Sequence, residues 1–230
     1  MNKPLVSCVC VTFNRRRLVN EMLYCFLAQD YENKELIIIN DKADEIFEYD
    51  DPRVRIYNLQ QRFPSLGEKR NYSRGLTKGD FIIIMDDDDL YYSNHISKLV
   101  NFHMEHPEVD IIANIDHHTT EHNKGLKMRR ELACPFNGGC ISKEYWDNNE
   151  FPDEKSCGED MDFVKGATKK FVDGETTFHY RWGLNVWHIS GMGGDGKESY
   201  DIVTKTSYIG ERKTYQLKPR LSEQSLEFYR

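Results

Sequence analysis

Two hydrophobic periods alternate along the first half of the chain. Leu5 to Phe13 (LVSCVCVTF) and Glu35 to Asn40 (ELIIIN) are near-continuous apolar runs of strand length, as expected for parallel strands covered on both faces. Between them Leu18, Met22, Cys25 and Gln29 fall on one helical stripe, widened by Leu23, Phe26 and Leu27. Two strands joined by a helix make a βαβ unit with a right-handed crossover. Val54 to Leu59 alternates and predicts a third, weaker strand. Gly67 to Thr77 reads as a helix ended by Lys78-Gly79. Phe81 to Met85, rich in β-branched residues, reads as a buried central strand. Ser93 is expected to N-cap a helix through His106, with Ile96, Leu99, Val100 and His103 inward and Pro107 as its stop. Asp110 to Ile115 is another strand.

The second half is more polar and less periodic. Asp116 to Glu131 reads as a loop or irregular hairpin, and Phe136 to Ile141 as a Gly-opened strand followed by Tyr145 and Trp146. Gly158-Glu159-Asp160 opens a helix carrying Met161, Phe163, Val164 and Ala167. Thr176 to His188 is strand-like and aromatic, Gly191 to Gly196 is a loop, and residues 197–230 are polar. Without an internal repeat or low-complexity linker, the pattern predicts one α/β domain with an elaborated second half.

Composition narrows the class only a little. The 230 residues are 39% hydrophobic and 30% charged, enough for one domain with a real core. The net charge of −7, from 31 basic and 38 acidic residues, disfavours nonspecific nucleic-acid binding through overall charge. No signal peptide and no apolar run of membrane-spanning length is visible, so a cytoplasmic protein without a transmembrane segment is expected. The six cysteines (Cys8, Cys10, Cys25, Cys134, Cys140, Cys157) include no Cys-x-x-Cys pair and are expected to be reduced and mostly buried.

The chemistry concentrates where the central strand ends. Phe81 to Met85 runs straight into Asp86-Asp87-Asp88-Asp89, at the strand end where open α/β sheets bind ligands. Four adjacent carboxylates repel one another unless a cation neutralises them. Mg²⁺ and Mn²⁺ take such oxygen ligands and leave positions for phosphate oxygens.

The ordered motifs Val-Ser-x-x-x-Val-Thr-Phe-Asn-Arg, Ile-Ile-Ile-Asn-Asp, Lys-Arg-Asn, Ile-Met-Asp-Asp-Asp-Asp and Gly-Glu-Asp resemble the GT-A fold glycosyltransferases, in particular the inverting family two, over residues 4 to 190. The resemblance implies a single GT-A (Rossmann-like) domain with a mixed, mostly parallel sheet flanked by helices. Residues 1–115 would form its nucleotide-sugar half, 116–195 its acceptor and catalytic half, and 196–230 a C-terminal extension. It implies transfer from a nucleoside diphosphate sugar, UDP-linked by expectation, to an acceptor hydroxyl of a glycan or lipid-linked glycan.

Roles follow by position. Thr12, Asn14, Arg16, Asp41, Lys69, Arg70, Asp86 and Asp87 are implied to hold the nucleotide, with Asp41 accepting from the base. Asp88 and His188 are implied to bind Mn²⁺ or Mg²⁺. Asp160, preceded by Glu159, stands where the family places its catalytic base, and Gly138, Gly139 and Trp187 border the acceptor. One departure is visible: the second-strand motif, usually Asp-Gly-Ser, here reads Asp41-Lys42-Ala43-Asp44.

Each residue also has an ordinary reading. Asp160 suits a helix N-terminus, Asp41 a turn, His188 a hydrogen-bonded core, and Lys69 and Arg70 a solvated helix face. Gly138 and Gly139 suit a bulge, and Trp146, Tyr180, Trp182 and Trp187 suit a core. Two further functions compete with the leading one: glycosylation of hydroxylated DNA bases, supported by the basic clusters Arg15–Arg17, Lys127/Arg129/Arg130 and Lys165/Lys169/Lys170, and a non-catalytic nucleotide-sugar-binding module. Oligomeric state is not readable.

Overall fold

A computed structural model of the chain describes residues 3–121, 125–130, 135–156, 158–182 and 211–229. In chain order it shows β1 (Val6–Thr12), α1 (Arg16–Leu27), β2 (Lys34–Asn40), β3 (Glu45–Glu48), β4 (Val54–Asn58), α2 (Leu66–Arg74), β5 (Phe81–Ile84), β6 (Leu90–Tyr91) and α3 (His95–Glu105). There follow β7 (Ile111–Asn114), β8 (Asp116–Glu121), β9 (Gly125–Arg130), β10 (Cys140–Ser142), α4 (Lys143–Asn148), α5 (Glu159–Phe163), β11 (Lys169–Val172), β12 (Phe178–Trp182), β13 (Lys213–Gln216) and α6 (Glu223–Phe228).

A seven-stranded sheet in the order β11-β7-β10-β5-β1-β2-β4 forms the frame, with β5 at its centre. Every pairing is parallel except the two made by β10. The sheet is therefore mixed and mostly parallel, as the apolar runs require. Alternate residues of each strand feed opposite layers. Cys8, Cys10, Leu36, Ile38 and Ile83 pack on one side with Met22, Phe26, Leu99 and Val100 of α1 and α3. Val9, Ile37, Ile39, Ile82 and Ile84 pack on the other with Trp146, Phe151 and Phe163. Each fully buried Ile contributes roughly 1.5–3 kcal/mol of transfer free energy, so runs such as ELIIIN read strongly in sequence. A second, four-stranded sheet, β6-β12-β8-β9, takes β6 from the first half and three strands from the second; β8 and β9 pair antiparallel where the sequence predicts a loop or irregular hairpin. Cys8, Cys10, Cys25 and Cys140 are buried free thiols, while Cys134 and Cys157 lie outside the described residues. Among the described residues, no helix is long and apolar enough to cross a membrane.

Two local expectations need correcting. Ser93 does not cap α3: Asn94 occupies the N-cap without a side-chain bond, and the buried Gln29 side chain accepts the Ile96 N–H at 3.0 Å. The helix end is thus satisfied from α1's end, not locally. Helix α2 begins one residue earlier than read, on a Ser65 cap whose Oγ accepts the Glu68 N–H at 3.0 Å, and it ends at Arg74 rather than Thr77.

Candidate functional site

Strands β1, β2 and β5 are parallel and in register, so their carboxyl ends open on one edge. There Thr12 pairs with Asn40, and the Met85 N–H donates to the Val9 carbonyl. The acidic run follows as a turn, with Asp87, Asp88 and Asp89 buried. Its excess charge is met first by the protein itself. Thr12 Oγ1 donates to Asp87 at 2.5 Å, and Arg15 Nη1 bonds Asp87 at 2.8 Å and Asp88 at 3.2 Å. The Arg181 N–H donates to Asp89 at 3.0 Å. Arg15 reaches the acids because the chain turns through Asn14 in the left-handed region, φ 58°, which Asn tolerates better than most residues.

These cations do not cancel the field. Burial raises the Asp86 carboxyl to about 6, with Asp88, Asp87 and Asp160 adding to the rise against Arg70. Burial also raises Asp87 and Asp89, each with Asp88 as a further cause. Tyr180, one of the aromatics that suit a core, lies in the same field: burial, then Asp89, Asp88, Asp86 and Asp160, push its phenol well up. Asp88 and Asp160 therefore act on shared neighbours, and the two motifs, 72 positions apart in sequence, face one site.

Helix α2 couples the acidic loop to Glu159 and Asp160. Its residue Arg70 lies 3.3 Å from Glu159 and 3.8 Å from Asp86, over the Phe136 ring at 4.4 Å. Burial holds Glu159 above its ordinary value despite Arg70. The segment before α5 is docked on the start of α2. The Gly67 N–H donates to the Lys155 carbonyl at 2.9 Å, Ser65 Oγ bonds the Asp153 carbonyl, and a Cβ on Gly67 would stand 2.0 Å from the Pro152 carbonyl oxygen. Gly158, at φ 73°, turns that segment into α5. Asp160 sits half-buried in the first turn, where Oδ1 accepts the Met161 N–H at 2.8 Å.

Several of the expected residues have partners within the protein itself. Asp41 is buried with both oxygens engaged, Oδ1 by Lys69 Nζ at 2.6 Å and Oδ2 by the Phe63 N–H at 3.1 Å. Lys69 also donates to the Thr12 carbonyl at 2.7 Å, and burial lowers its pKa against the pull of Asp41. This pair ties β1, β2 and α2 together, so Lys69 is not on a solvated face. Arg16 is exposed and stacks on Tyr215 at 3.9 Å; it is Arg15 that meets the acids. The space beside Gly138 and Gly139 is filled by the Phe178 ring and the Pro135 carbonyl, which gives both glycines a packing role. Trp146 is core, ringed by Phe151 and Phe163. Trp187 and His188 lie outside the described residues, as does the side chain of Trp182.

Among the described residues, no three His, Cys, Asp or Glu side chains converge as a closed metal cage. The acidic loop is instead a set of hard oxygen donors whose charge Arg15 and Arg70 offset only in part. That fits a divalent cation sharing its coordination between one or two carboxylates and a phosphate ligand.

The mixed, mostly parallel sheet with its acidic loop at the carboxyl end of the central strand is that of a GT-A type glycosyltransferase fold. The chain belongs to glycosyl transferase family 2, whose model matches residues 7–191. It is 29% identical over 106 residues to the GalNAc(5)-diNAcBac-PP-undecaprenol beta-1,3-glucosyltransferase of Campylobacter jejuni, covering 42% of this chain and 34% of that one. Staphylococcus aureus TarS 1-349 in complex with UDP-GlcNAc superposes with a TM-score of 0.61 at 15% identity, over 85% of this chain and 61% of that one. The mannosyltransferase PcManGT of Pyrobaculum calidifontis, in complex with GDP-Man and Mn2+, gives 0.59 at 14% identity, over 82% and 60%. These two likenesses establish the fold. The chain spans less than half the length of the curated relatives it matches, 17% of one and 44% of another.

Proposed function

We propose that the protein is a metal-dependent inverting glycosyltransferase that moves a sugar from a UDP-linked donor to a hydroxyl of a glycan or lipid-linked glycan. One observation carries the reading: Arg70 stands between the two acidic motifs, 3.8 Å from Asp86 and 3.3 Å from Glu159, so both lie at the same sheet edge. A lone acidic turn has no need of the second motif. The UDP-GlcNAc complex of one structural neighbour and the Mn2+ complex of another support the choice of donor and ion. The undecaprenol-linked glycan in the name of the Campylobacter relative supports the choice of acceptor.

In this reading Asp86 and Asp88 hold Mn²⁺ or Mg²⁺, with any contribution from His188 added to theirs. An ion held there would offset the charge that develops on the leaving diphosphate. Arg15, released from Asp87 and Asp88, moves onto a phosphate oxygen. Arg70 keeps Glu159 and Asp86 in place from below. Asp160 takes the proton of the acceptor hydroxyl as its oxygen attacks the anomeric carbon. The bond to the diphosphate oxygen breaks on the opposite face, so the configuration inverts. The half-buried position of Asp160 at a helix start keeps the carboxylate rigid and reachable.

Incubation with UDP-, GDP- and dTDP-sugars tests the proposal through release of nucleotide. Release from a UDP-sugar that EDTA abolishes, and that Asp160→Asn lowers by roughly 10²–10⁴-fold, is the expected result for removal of a general base. No release from any donor, or full turnover by Asp160→Asn, contradicts it.

A further inference from the structure

We propose that helix α6 and Tyr229 at its C-terminal end are a buttress of the acidic loop, fixing Asp86–Asp89 through two hydrogen-bonded chains that reach the loop at opposite ends. The inference rests on the reading of that loop as the metal and diphosphate site. In the first chain, Ser225 Oγ accepts from Arg181 Nη1 at 3.0 Å and donates to Glu21 Oε2 at 2.8 Å. Arg181 in turn donates its backbone N–H to Asp89 Oδ1 at 3.0 Å and its Nε to the Asp88 carbonyl. In the second chain, Tyr229 Oη donates to the Tyr91 carbonyl at 3.1 Å. The Tyr91 phenol accepts the Asp86 N–H at 2.7 Å. Glu21, Tyr91, Arg181 and Ser225 are all buried.

Residues 211–229 lie beyond residues 7–191, the part that the family shares. The support is thus supplied by a segment outside the part that the family model covers. A buried Arg–Glu pair held by a serine is costly to leave half-made, so the loop and the helix end are held together in one arrangement. The segment is also anchored independently. Leu217 and Leu221 are buried in the core, and the Lys218 N–H donates to Asn20 Oδ1 at 2.7 Å. Loss of the two hydroxyls therefore leaves the helix docked and Arg181 on Glu21, while removing one support from each end of the loop. Carboxylates that must meet an ion depend on such supporting bonds for their aim. Ser225 and Tyr229 are positioning residues, since neither touches the reacting groups.

The test is titration calorimetry of UDP with MnCl₂ and with EDTA; the ratio of the two affinities is the metal-dependent gain. The double variant S225A/Y229F is expected to lose roughly tenfold of that gain, the lower end of what outer hydrogen-bond partners of metal ligands are worth, with its affinity in EDTA unchanged. The single variants S225A and Y229F, each expected to lose part of it, serve if the pair does not fold. Leu217→Ala removes packing in the same segment without touching either chain; it is expected to lower the Tm and keep the gain. A wild-type gain that the hydroxyl variants keep, or that Leu217→Ala loses equally, overturns this inference alone. A wild type with no gain overturns the reading of the loop, and this inference with it.

Discussion

The Arg15 guanidinium bonds Asp87 at 2.8 Å, so the acidic loop carries its own counter-cation. The same nitrogen lies 3.2 Å from Asp88. A divalent ion arriving alone meets a like charge a few ångström from its carboxylates. One arriving with a diphosphate offers that charge a new partner. Arg15→Gln is therefore expected to tighten binding of Mn²⁺ alone by roughly tenfold, the scale of one like charge removed from a partly solvated site, and to weaken binding of UDP in the presence of Mn²⁺. Manganese EPR and calorimetry read the two effects separately. Equal weakening of both would show that Arg15 holds the loop together and does not compete for it.

The Asp86 carboxyl, raised to about 6 mainly by burial, makes the stability of the metal-free protein depend on pH. Its folded pKa lies above the unfolded value near 3.8, so between these limits the native state binds more protons than the unfolded one. Stability from this group is full below the unfolded pKa and is lost as pH rises through about 6. Asp86→Asn removes the loss. Its Tm is expected to exceed wild type at pH 7.5, by roughly 2–4 °C for each kcal/mol of the burial and repulsion penalty relieved, and the difference should shrink toward zero near pH 4. A difference that does not vary with pH would mean that the carboxyl is ionised throughout. Metal-dependent UDP binding is expected to be lost in the same variant at both pH values.

Gly67 is one of the contacts that set the spacing of the two acidic motifs, beside those of Ser65 and Asn71. An added Cβ would meet the Pro152 carbonyl oxygen at 2.0 Å, and backbone cannot step aside as a side chain can. Gly67→Ala is expected to destabilise by about 1–3 kcal/mol through overpacking, read as a lower Tm. It is also expected to lower turnover more than UDP affinity, because Pro152–Ser156 leads directly into Glu159 and Asp160. Unchanged turnover in the folded variant would show that α5 keeps its place without that contact.

How much of this was legible in sequence follows from where the information resides. Strands β1, β2 and β5 were legible because burial on both faces writes a continuous apolar run. The acidic loop was legible because so many charges at a strand end need a reason. The direction of a side chain has no such signature: Arg15 and Arg16 are adjacent, yet one reaches Asp87 and the other Tyr215. The lock of Lys69 on Asp41 joins residues that each look like ordinary surface in a linear reading. The C-terminal segment was the least legible. Strand β13 pairs in parallel with β3, Lys213 beside Glu45 and Gln216 beside Glu48. Both strands are short and largely polar, so backbone hydrogen bonds hold the pairing and no hydrophobic period marks it. Leu217 and Leu221, isolated in a polar tract, proved to be core.

The account depends on the acidic loop gripping a divalent ion and, through it, a diphosphate. Calorimetric titration of UDP into the wild-type protein and into Asp88→Asn, each with MnCl₂ and with EDTA, tests this most directly. The predicted result is UDP binding that Mn²⁺ strengthens in the wild type and leaves unchanged in Asp88→Asn. Wild-type binding indifferent to Mn²⁺, or the same strengthening in Asp88→Asn, contradicts it.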